Sequence, residues 1–175
     1  MQKSDFLTSH AIQLGSPSYA DLYAQFAHVF SVKRGDINAP AANIDGVRLG
    51  KDLIFAPDGE GMELYTALNH WLANPSLENL TEVADGAADL IYVVLQLCWA
   101  LDIPIDRCYQ AVHNNNMTKV QPDGTVLRRP DGKVLKPVGY VPVNLWEVLH
   151  KYSNERAKAT QSQGADNWPD QLITD

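Results

Sequence analysis

The sequence has 175 residues, of which 45% are hydrophobic, and a formal net charge of −7. This length fits one domain, and the apolar share is too high for an intrinsically disordered chain. Because an acidic chain is repelled by a nucleic-acid backbone, we expect no nucleic-acid partner. A small anionic ligand would need a bound cation or a local basic cluster to offset the negative charge of the protein.

The cysteines and the apolar runs indicate a protein of the reducing cytoplasm. Cys98 and Cys108 fall within apolar helical patterns, so we expect buried free thiols. Residues 1–10 lack the basic start and apolar stretch of a signal peptide. The longest apolar run, from Leu90 to Leu101, is shorter than the ~20 residues of a membrane span. We therefore predict a cytoplasmic protein without a membrane partner.

Hydrophobic periodicity and capping residues predict an all-α fold with four main helices. The predicted helices cover residues 18–30, 58–74, 76–101 and 105–115. Short connections make the last three of these helices antiparallel neighbours. Residues 31–58 are rich in glycine and proline, and we predict a long loop there.

The pattern changes after the fourth helix. Residues 125–129 and 133–136 flank Pro130-Asp131-Gly132, which predicts a small β-hairpin extension. A short final helix follows over about residues 144–151, and the remaining chain is polar with few apolar anchors. We therefore predict a single domain over residues 1–152 and a loose tail over residues 153–175.

The third predicted helix carries an acidic stripe on an otherwise apolar segment. Glu82, Asp85 and Asp89 fall at positions i, i+3 and i+7, within about 60° of one another on a helical wheel. On the preceding helix Glu60 and Glu63 also share a face. If the two helices pack antiparallel through their apolar sides, the five carboxylates meet.

Carboxylates gathered in a helical bundle repel one another and favour a divalent cation. Partly buried, each uncompensated ion costs several kcal/mol, on the order of the desolvation penalties of buried charges. Mg²⁺, with Mn²⁺ as an alternative, takes oxygen ligands and retains space for phosphate oxygens. This chemistry suits attack of an activated water on a triphosphate. A solvated acidic helix face is the structural alternative.

A second group of candidate residues is basic and lies towards the C-terminus. Asn116 and Lys119 stand at the end of the fourth predicted helix, where they could bind a sugar or phosphate oxygen. Lys133 and Lys136 belong to a basic hairpin that could close over a triphosphate or reach a neighbouring subunit. A polar helix end and an ordinary charged edge hairpin are the alternatives.

Three sequence segments resemble one family in their order and spacing. Glu-Val-Ala-Asp-Gly-Ala-Ala-Asp-Leu-Ile-Tyr-Val (82–93) resembles the signature helix of the MazG-like, all-α NTP pyrophosphohydrolases, the superfamily that includes phosphoribosyl-ATP pyrophosphohydrolase. His-Asn-Asn-Asn-Met-Thr-Lys (113–119) and the segment from Asp131 to Tyr140 resemble the phage branch, with Tyr140 as a further substrate-binding candidate. The resemblance covers about residues 60–145.

The resemblance implies a four-helix MazG-like bundle, two or three Mg²⁺ ions and cleavage between the α and β phosphates. Glu60-x-x-Glu63 and Glu82-x-x-Asp85 match the metal-binding patterns of the family, and these four residues are the implied catalytic group. Asp89 matches a family aspartate as well, so Asp85 and Asp89 compete for one role. The family pattern usually begins with two adjacent glutamates, but residue 59 here is glycine.

The resemblance further implies a hydrolase that converts a (d)NTP to a (d)NMP and pyrophosphate. MazZ-like members of the phage branch act on (d)GTP, which makes (d)GTP a candidate substrate and the host cytoplasm the location for a phage-encoded protein. Such proteins form homodimers or homotetramers. The alternative is a non-catalytic nucleotide-binding or scaffold protein on the same fold with a decayed metal site.

Overall fold

A computed structural model describes residues 17–163, so the N-terminal segment and most of the predicted tail lie outside the described residues. It contains six α-helices and no β-strand between residues 17 and 163, which confirms the all-α prediction. The helices are Tyr19–Val29 (α1), Ile44–Phe55 (α2), Glu60–Ala73 (α3), Leu77–Ala100 (α4), Ile105–Met117 (α5) and Leu145–Gln163 (α6).

Helix α4 is the centre of a four-helix core formed by α1 to α4. Its N-cap Ser76 accepts a hydrogen bond from the Asn79 backbone, which starts the helix directly after α3 ends. The short connection makes α3 and α4 antiparallel neighbours, and this pair has the most extensive packing in the described chain. Helices α1 and α2 pack against α4 as well.

The predicted loop over residues 31–58 is wrong, because α2 lies within it. Gly46 and Gly50 lower the helix propensity of this segment, which hides the helix from a periodicity analysis. Both glycines face α4: a Cβ at residue 46 would lie 2.7 Å from the Ala100 Cβ, and one at residue 50 would lie 3.0 Å from Leu97 Cδ1. Close packing on α4 therefore stabilises a helix that propensity disfavours.

Helix α5 does not continue the bundle as predicted. It packs mainly against α6 rather than lying along α4, and Cys108 is its buried residue. Cys98 of α4 and Cys108 are free and buried, as the sequence predicted. Burial raises the pKa of both thiols.

The prediction of a β-hairpin is wrong, because residues 125–129 and 133–136 do not form strands. Its turn forms, with a hydrogen bond from the Arg129 N–H to the Lys133 carbonyl at 2.8 Å. The only pairing consists of isolated antiparallel bridges between Val120 and Val126 and between Arg128 and Val134 in the described chain. Two short segments without a covering apolar layer are too weakly stabilised to form a continuous ladder.

The final helix is longer than predicted and continues through residues 153–163. Its second half is polar, which suggested a tail, but Tyr152 and Arg156 are both hydrogen-bonded to Asp102 at the end of α4. This anchoring extends the ordered helix beyond the residues that hydrophobicity marks. The proposed domain boundary stays a prediction.

Helix α4 is long and apolar enough to cross a membrane by length and composition alone, which the shorter apolar run did not indicate. This is weak evidence, because the core helix of a soluble protein meets the same criteria. Helix α4 also carries Asp85 and Asp89 and contacts three other helices. The cytoplasmic location stays a prediction.

Candidate active site

The five predicted metal ligands lie on the antiparallel pair α3 and α4. Helix α3 begins at Glu60, so Glu60 and Glu63 occupy its first turn. Glu82, Asp85 and Asp89 follow one another from the second turn to the middle of α4. Because the two helices run antiparallel, the first turn of α3 lies opposite the Asp85–Asp89 stretch rather than the start of α4.

Gly86 sets how closely the two helices approach beside these acids. A Cβ at residue 86 would lie 3.1 Å from the Leu64 Cα and 3.3 Å from the Leu64 nitrogen. The backbone of α4 therefore touches the backbone of α3 at this point, which a larger side chain would prevent. Glu63 precedes Leu64 and Asp85 precedes Gly86, so the contact sets the two acidic stretches level with each other along the helix axes.

The electrostatics of Glu60 show that carboxylates from both helices share one region. Burial raises the pKa of Glu60, and the negative charges of Glu63, Asp89 and Asp85 raise it further. Two of these charges belong to the facing helix. Glu82 is absent from this set, as its place nearer the α3–α4 turn leads one to expect.

No cation in the described part of the chain neutralises the acidic group. Glu60 is half-buried, whereas the other four carboxylates are exposed. In residues 17–163, none of the five carboxylates forms an ion pair or a side-chain hydrogen bond. The repulsion seen at Glu60 is therefore uncompensated by the described side chains.

The five acids offer the oxygen ligands that a hard divalent cation prefers, but their carboxylates do not surround one common position. No three His, Cys, Asp or Glu side chains within the described part of the chain are close enough to hold an ion as they stand. Carboxylate oxygens on two facing helices are nevertheless the donors that Mg²⁺ and Mn²⁺ take, and most of these side chains are free to rotate towards an ion. Their role as ligands stays a prediction.

Gly59 explains one departure from the family pattern. It precedes α3 and is buried against the end of α2, where a Cβ would lie 2.7 Å from the Leu53 carbonyl oxygen and 2.9 Å from that of Asp52. A glutamate therefore cannot occupy position 59 without moving α2. The close packing of α2 therefore explains why glycine stands where the family pattern has its first glutamate.

The second predicted group gathers around the ring of Tyr140. The Lys119 and Lys136 ammonium nitrogens lie 5.7 Å and 5.1 Å from the ring centroid, within the range of a cation–π contact. Lys119 also donates a 2.7 Å hydrogen bond to the Asn116 side chain. Lys133 is exposed, and its side chain has no hydrogen bond or ion pair with any residue from 17 to 163.

Asn115 organises this basic group and was missed by the sequence analysis. Its side chain accepts a hydrogen bond from the Tyr140 hydroxyl and donates one to the Val141 carbonyl at 2.8 Å. These bonds hold the segment 137–144 against the end of α5, beside a cleft of about 620 Å³. The run of three asparagines was a signal, but it could not show which one is structural.

The acidic and the basic group belong to different segments of the described chain. The basic group follows α5, whose main neighbour is α6. No hydrogen bond or ion pair among residues 17–163 joins Lys119, Lys133 or Lys136 to any of the five carboxylates.

Comparison with known families identifies one segment of the chain. Residues 42–116 match the family model described as phosphoribosyl-ATP pyrophosphohydrolase. The matched segment contains the whole of α2, α3 and α4 and all but the last residue of α5, and with them all five carboxylates. No curated protein matches the chain significantly. The match confirms the resemblance at the level of the superfamily, while the phage branch stays a prediction.

Proposed function

We propose that this chain, whose residues 42–116 match the family model described as phosphoribosyl-ATP pyrophosphohydrolase, hydrolyses a nucleoside triphosphate to the monophosphate and pyrophosphate. The observation that carries this proposal is the meeting of carboxylates from α3 and α4 beside the Gly86 contact. That meeting falls inside the matched segment and leaves the acids uncompensated. It is a site that requires a cation and suits a polyphosphate.

In the proposed reaction, a water oxygen bonds to the α-phosphorus and the bond from that phosphorus to the bridging oxygen breaks. The electron pair leaves with pyrophosphate, and the proton of the water passes to a carboxylate of the acidic group. Glu60, Glu63, Asp85 and Asp89 would hold Mg²⁺, with Glu82 at the margin. Bound Mg²⁺ supplies charge neutralisation at the phosphate oxygens.

The substrate class is a (d)NTP, with (d)GTP the candidate that the phage-type segments around Asn116 and Tyr140 favour. Phosphoribosyl-ATP is the second candidate, because the matching family model carries that description. Both are cleaved at the same kind of bond, between the α and β phosphates. The two candidates differ in the nucleoside part of the molecule, which lies beyond the α-phosphate.

The decisive experiment measures pyrophosphate release from all common NTPs and dNTPs and from phosphoribosyl-ATP, with and without Mg²⁺. We expect Mg²⁺-dependent release, lost on chelation and restored by Mn²⁺. Preference for (d)GTP would support the phage-type assignment, and preference for a pyrimidine would contradict it. No release from any substrate, combined with tight nucleotide binding, would instead support the non-catalytic binding protein.

Single substitutions test which acids carry the reaction. Glu60→Gln and Asp89→Asn should each lower kcat by at least about 100-fold, because each removes a charge that holds the cation or accepts the proton. Glu78→Gln is the matched control, since Glu78 is an exposed acid in the first turn of α4. Equal activity of all three variants would contradict the proposed site.

A further inference from the structure

A cavity of about 350 Å³ lies between α1, the second half of α4 and the start of α5. We call it the interhelical cavity. Its volume falls within the range of about 300–1,000 Å³ that small-molecule sites occupy in proteins. Leu95 in its wall stands six positions beyond Asp89, which is about 9 Å along the axis of α4. None of the five candidate metal ligands is among the described residues that line it.

The wall of the interhelical cavity is mainly apolar and is in contact with water. Ala20 and Ala24 stand one turn apart on α1, and their small side chains leave the space open. Opposite them, Leu95, Ile103 and Ile105 line the cavity and are only half-buried. A ligand with an apolar body would remove this surface from water, which favours its binding.

Tyr23 adds an unused hydrogen-bonding group to this wall. The residue lines the cavity and is 2% exposed, and its hydroxyl has no hydrogen-bond partner among residues 17–163. Buried polar groups in folded proteins nearly always have a partner, so a hydroxyl without one calls for an explanation. A polar group on a bound small molecule would supply such a partner.

The two arginines at the cavity already have carboxylate partners within the protein. Arg34 Nε donates to the buried Asp102 carboxylate at 2.8 Å, and Arg107 pairs with Glu155 at 2.6 Å. Asp102 is shared with Arg156. The arginines are therefore engaged with carboxylates of the protein itself, and an acidic ligand would have to compete with these carboxylates.

Two carboxylates at the mouth of the cavity have no such balance. Asp21 Oδ2 accepts a hydrogen bond from the Ser18 N–H at 2.9 Å, and Asp106 Oδ2 accepts one from the Ser18 hydroxyl at 3.0 Å. One serine thus brings acids of α1 and α5 together, and both residues are exposed and line the cavity. Neither forms an ion pair with any residue from 17 to 163. This mouth suits a cation.

We propose that the interhelical cavity binds a small organic amine, with its apolar body between α1 and α4 and its ammonium group beside Asp21 and Asp106. The apolar wall and the two carboxylates favour this class of ligand over a neutral or an acidic one. Such a ligand contacts α1, α4 and α5 together, so its binding stabilises the folded chain. This second site does not depend on the hydrolysis of a nucleotide.

Three probes of similar size and different charge test the proposal: phenethylamine, 2-phenylethanol and 3-phenylpropionate. At about pH 7 the first is a cation, the second is neutral and the third is an anion. In isothermal titration calorimetry on the full chain, the amine should bind at least about tenfold more tightly than the alcohol, and the anion should bind most weakly. No binding of the amine, equal affinities or tighter binding of the anion would overturn the proposal.

A larger side chain in the cavity wall tests where the amine binds. Ala24→Leu should weaken amine binding by at least about tenfold, because it fills the space between the helices. Ala73→Leu makes the same change at the exposed end of α3 and should bind the amine as the wild type does. Circular dichroism checks that both variants fold. Unchanged affinity of a folded Ala24→Leu variant would place the amine elsewhere and overturn the proposal.

Neutral variants of the two acids test the role of their charge. Asp21→Asn combined with Asp106→Asn retains oxygens that can accept the Ser18 hydrogen bonds but removes both charges. The amine and the alcohol should then bind within about threefold of each other. Asp45→Asn combined with Glu78→Gln removes the same charge from exposed acids outside the cavity and should retain the preference for the amine.

Either of two results with these variants contradicts the proposed site. A preference that survives in the Asp21 and Asp106 variant does not arise at the mouth of the cavity. A preference that disappears in the control reflects the net charge of the protein instead. All of these measurements are made without a nucleotide, so failure of the proposed hydrolysis leaves them decisive.

Discussion

Tyr23 carries a buried hydroxyl with no hydrogen-bond partner among the described residues. Only 2% of the residue is exposed, and its ring packs among those of Phe26, Tyr92 and Trp99 at centroid distances of 5.7, 5.5 and 6.2 Å. The ring thus belongs to the core between α1 and α4. The hydroxyl has lost its hydration there without a replacement, and this costs stability.

The substitution Tyr23→Phe should therefore stabilise the fold. An unsatisfied buried polar group costs about 1–3 kcal/mol, so we expect the free energy of unfolding to rise by about 1 kcal/mol. Urea unfolding at pH 8 measures the change. Tyr19→Phe is the control, because Tyr19 is 68% exposed and its hydroxyl reaches water. A less stable Tyr23→Phe variant would show that the hydroxyl has a partner, such as a second chain.

Tyr23 also predicts a specific dependence of stability on alkaline pH. Burial, with a contribution from Tyr92, raises the pKa of Tyr23 to about 12. In the unfolded chain the hydroxyl loses its proton at its ordinary pKa of about 10. The unfolded chain therefore loses this proton before the folded chain does, and the wild type loses stability as the pH rises from about 10 towards 12. The stability advantage of Tyr23→Phe should therefore widen over this range, and a constant difference would contradict the raised pKa.

At the level of secondary-structure elements, the position of α3 against α4 depends on Gly86. Gly86→Val places a branched side chain against the Leu64 backbone, and overpacking of this kind costs about 1–3 kcal/mol. Because the same change separates the acidic positions, pyrophosphate release should fall as well. Ala84→Val is the matched control on the exposed side of α4, with an expected loss below about 1 kcal/mol. Equal losses, measured by urea unfolding, would contradict the contact.

A buried ionic network connects the end of α4 with α6 and with the loop before α2. The Asp102 carboxylate is fully buried and accepts hydrogen bonds from Arg34 Nε at 2.8 Å and Arg156 Nε at 3.1 Å. The Tyr152 hydroxyl donates a third at 2.9 Å. Asp102 thereby joins three segments that are distant in sequence, including the final helix.

The substitution Asp102→Asn removes the charge at the centre of this network. Asparagine tolerates the positive φ of 53° at this position, so the loss should reflect charge rather than backbone strain. Breaking a buried ion pair costs about 3–5 kcal/mol, and amide exchange in α6 should accelerate first. Asp45→Asn, which breaks the exposed pair with Arg48, should change stability by less than about 0.5 kcal/mol. Similar effects of the two variants would contradict a central role of Asp102.

For the whole molecule, the sequence predicted element types better than element partners. Periodicity located α1, α3 and α4, because their apolar residues recur with a helical period, and Ser18 and Ser76 cap α1 and α4. They missed α2, since its glycines disfavour a helix until α4 packs against them. They also assigned α5 to the bundle, because a short connection suggests a neighbour but cannot show which helix offers the better surface.

The sequence predicted which acids belong to the candidate site but could not predict how these acids are arranged in space. Spacing alone put Asp85 and Asp89 on one face of a helix, because 3.6 residues make one turn. It could not show that the charges of both aspartates raise the pKa of Glu60, since this depends on the register of α3 along α4. The Gly86 contact sets that register, and a glycine in a sequence does not reveal what it touches.

What the sequence determined by itself is local: the helical class, the acidic stripe and the family segment all follow from residue identity and spacing along one chain. Tertiary structure decided which helices are neighbours and that α6 extends to Gln163. The physical reason is that these outcomes depend on contacts such as Asp102 with Arg156, between residues far apart in sequence. Such contacts stabilise the protein only after folding has brought the two residues together.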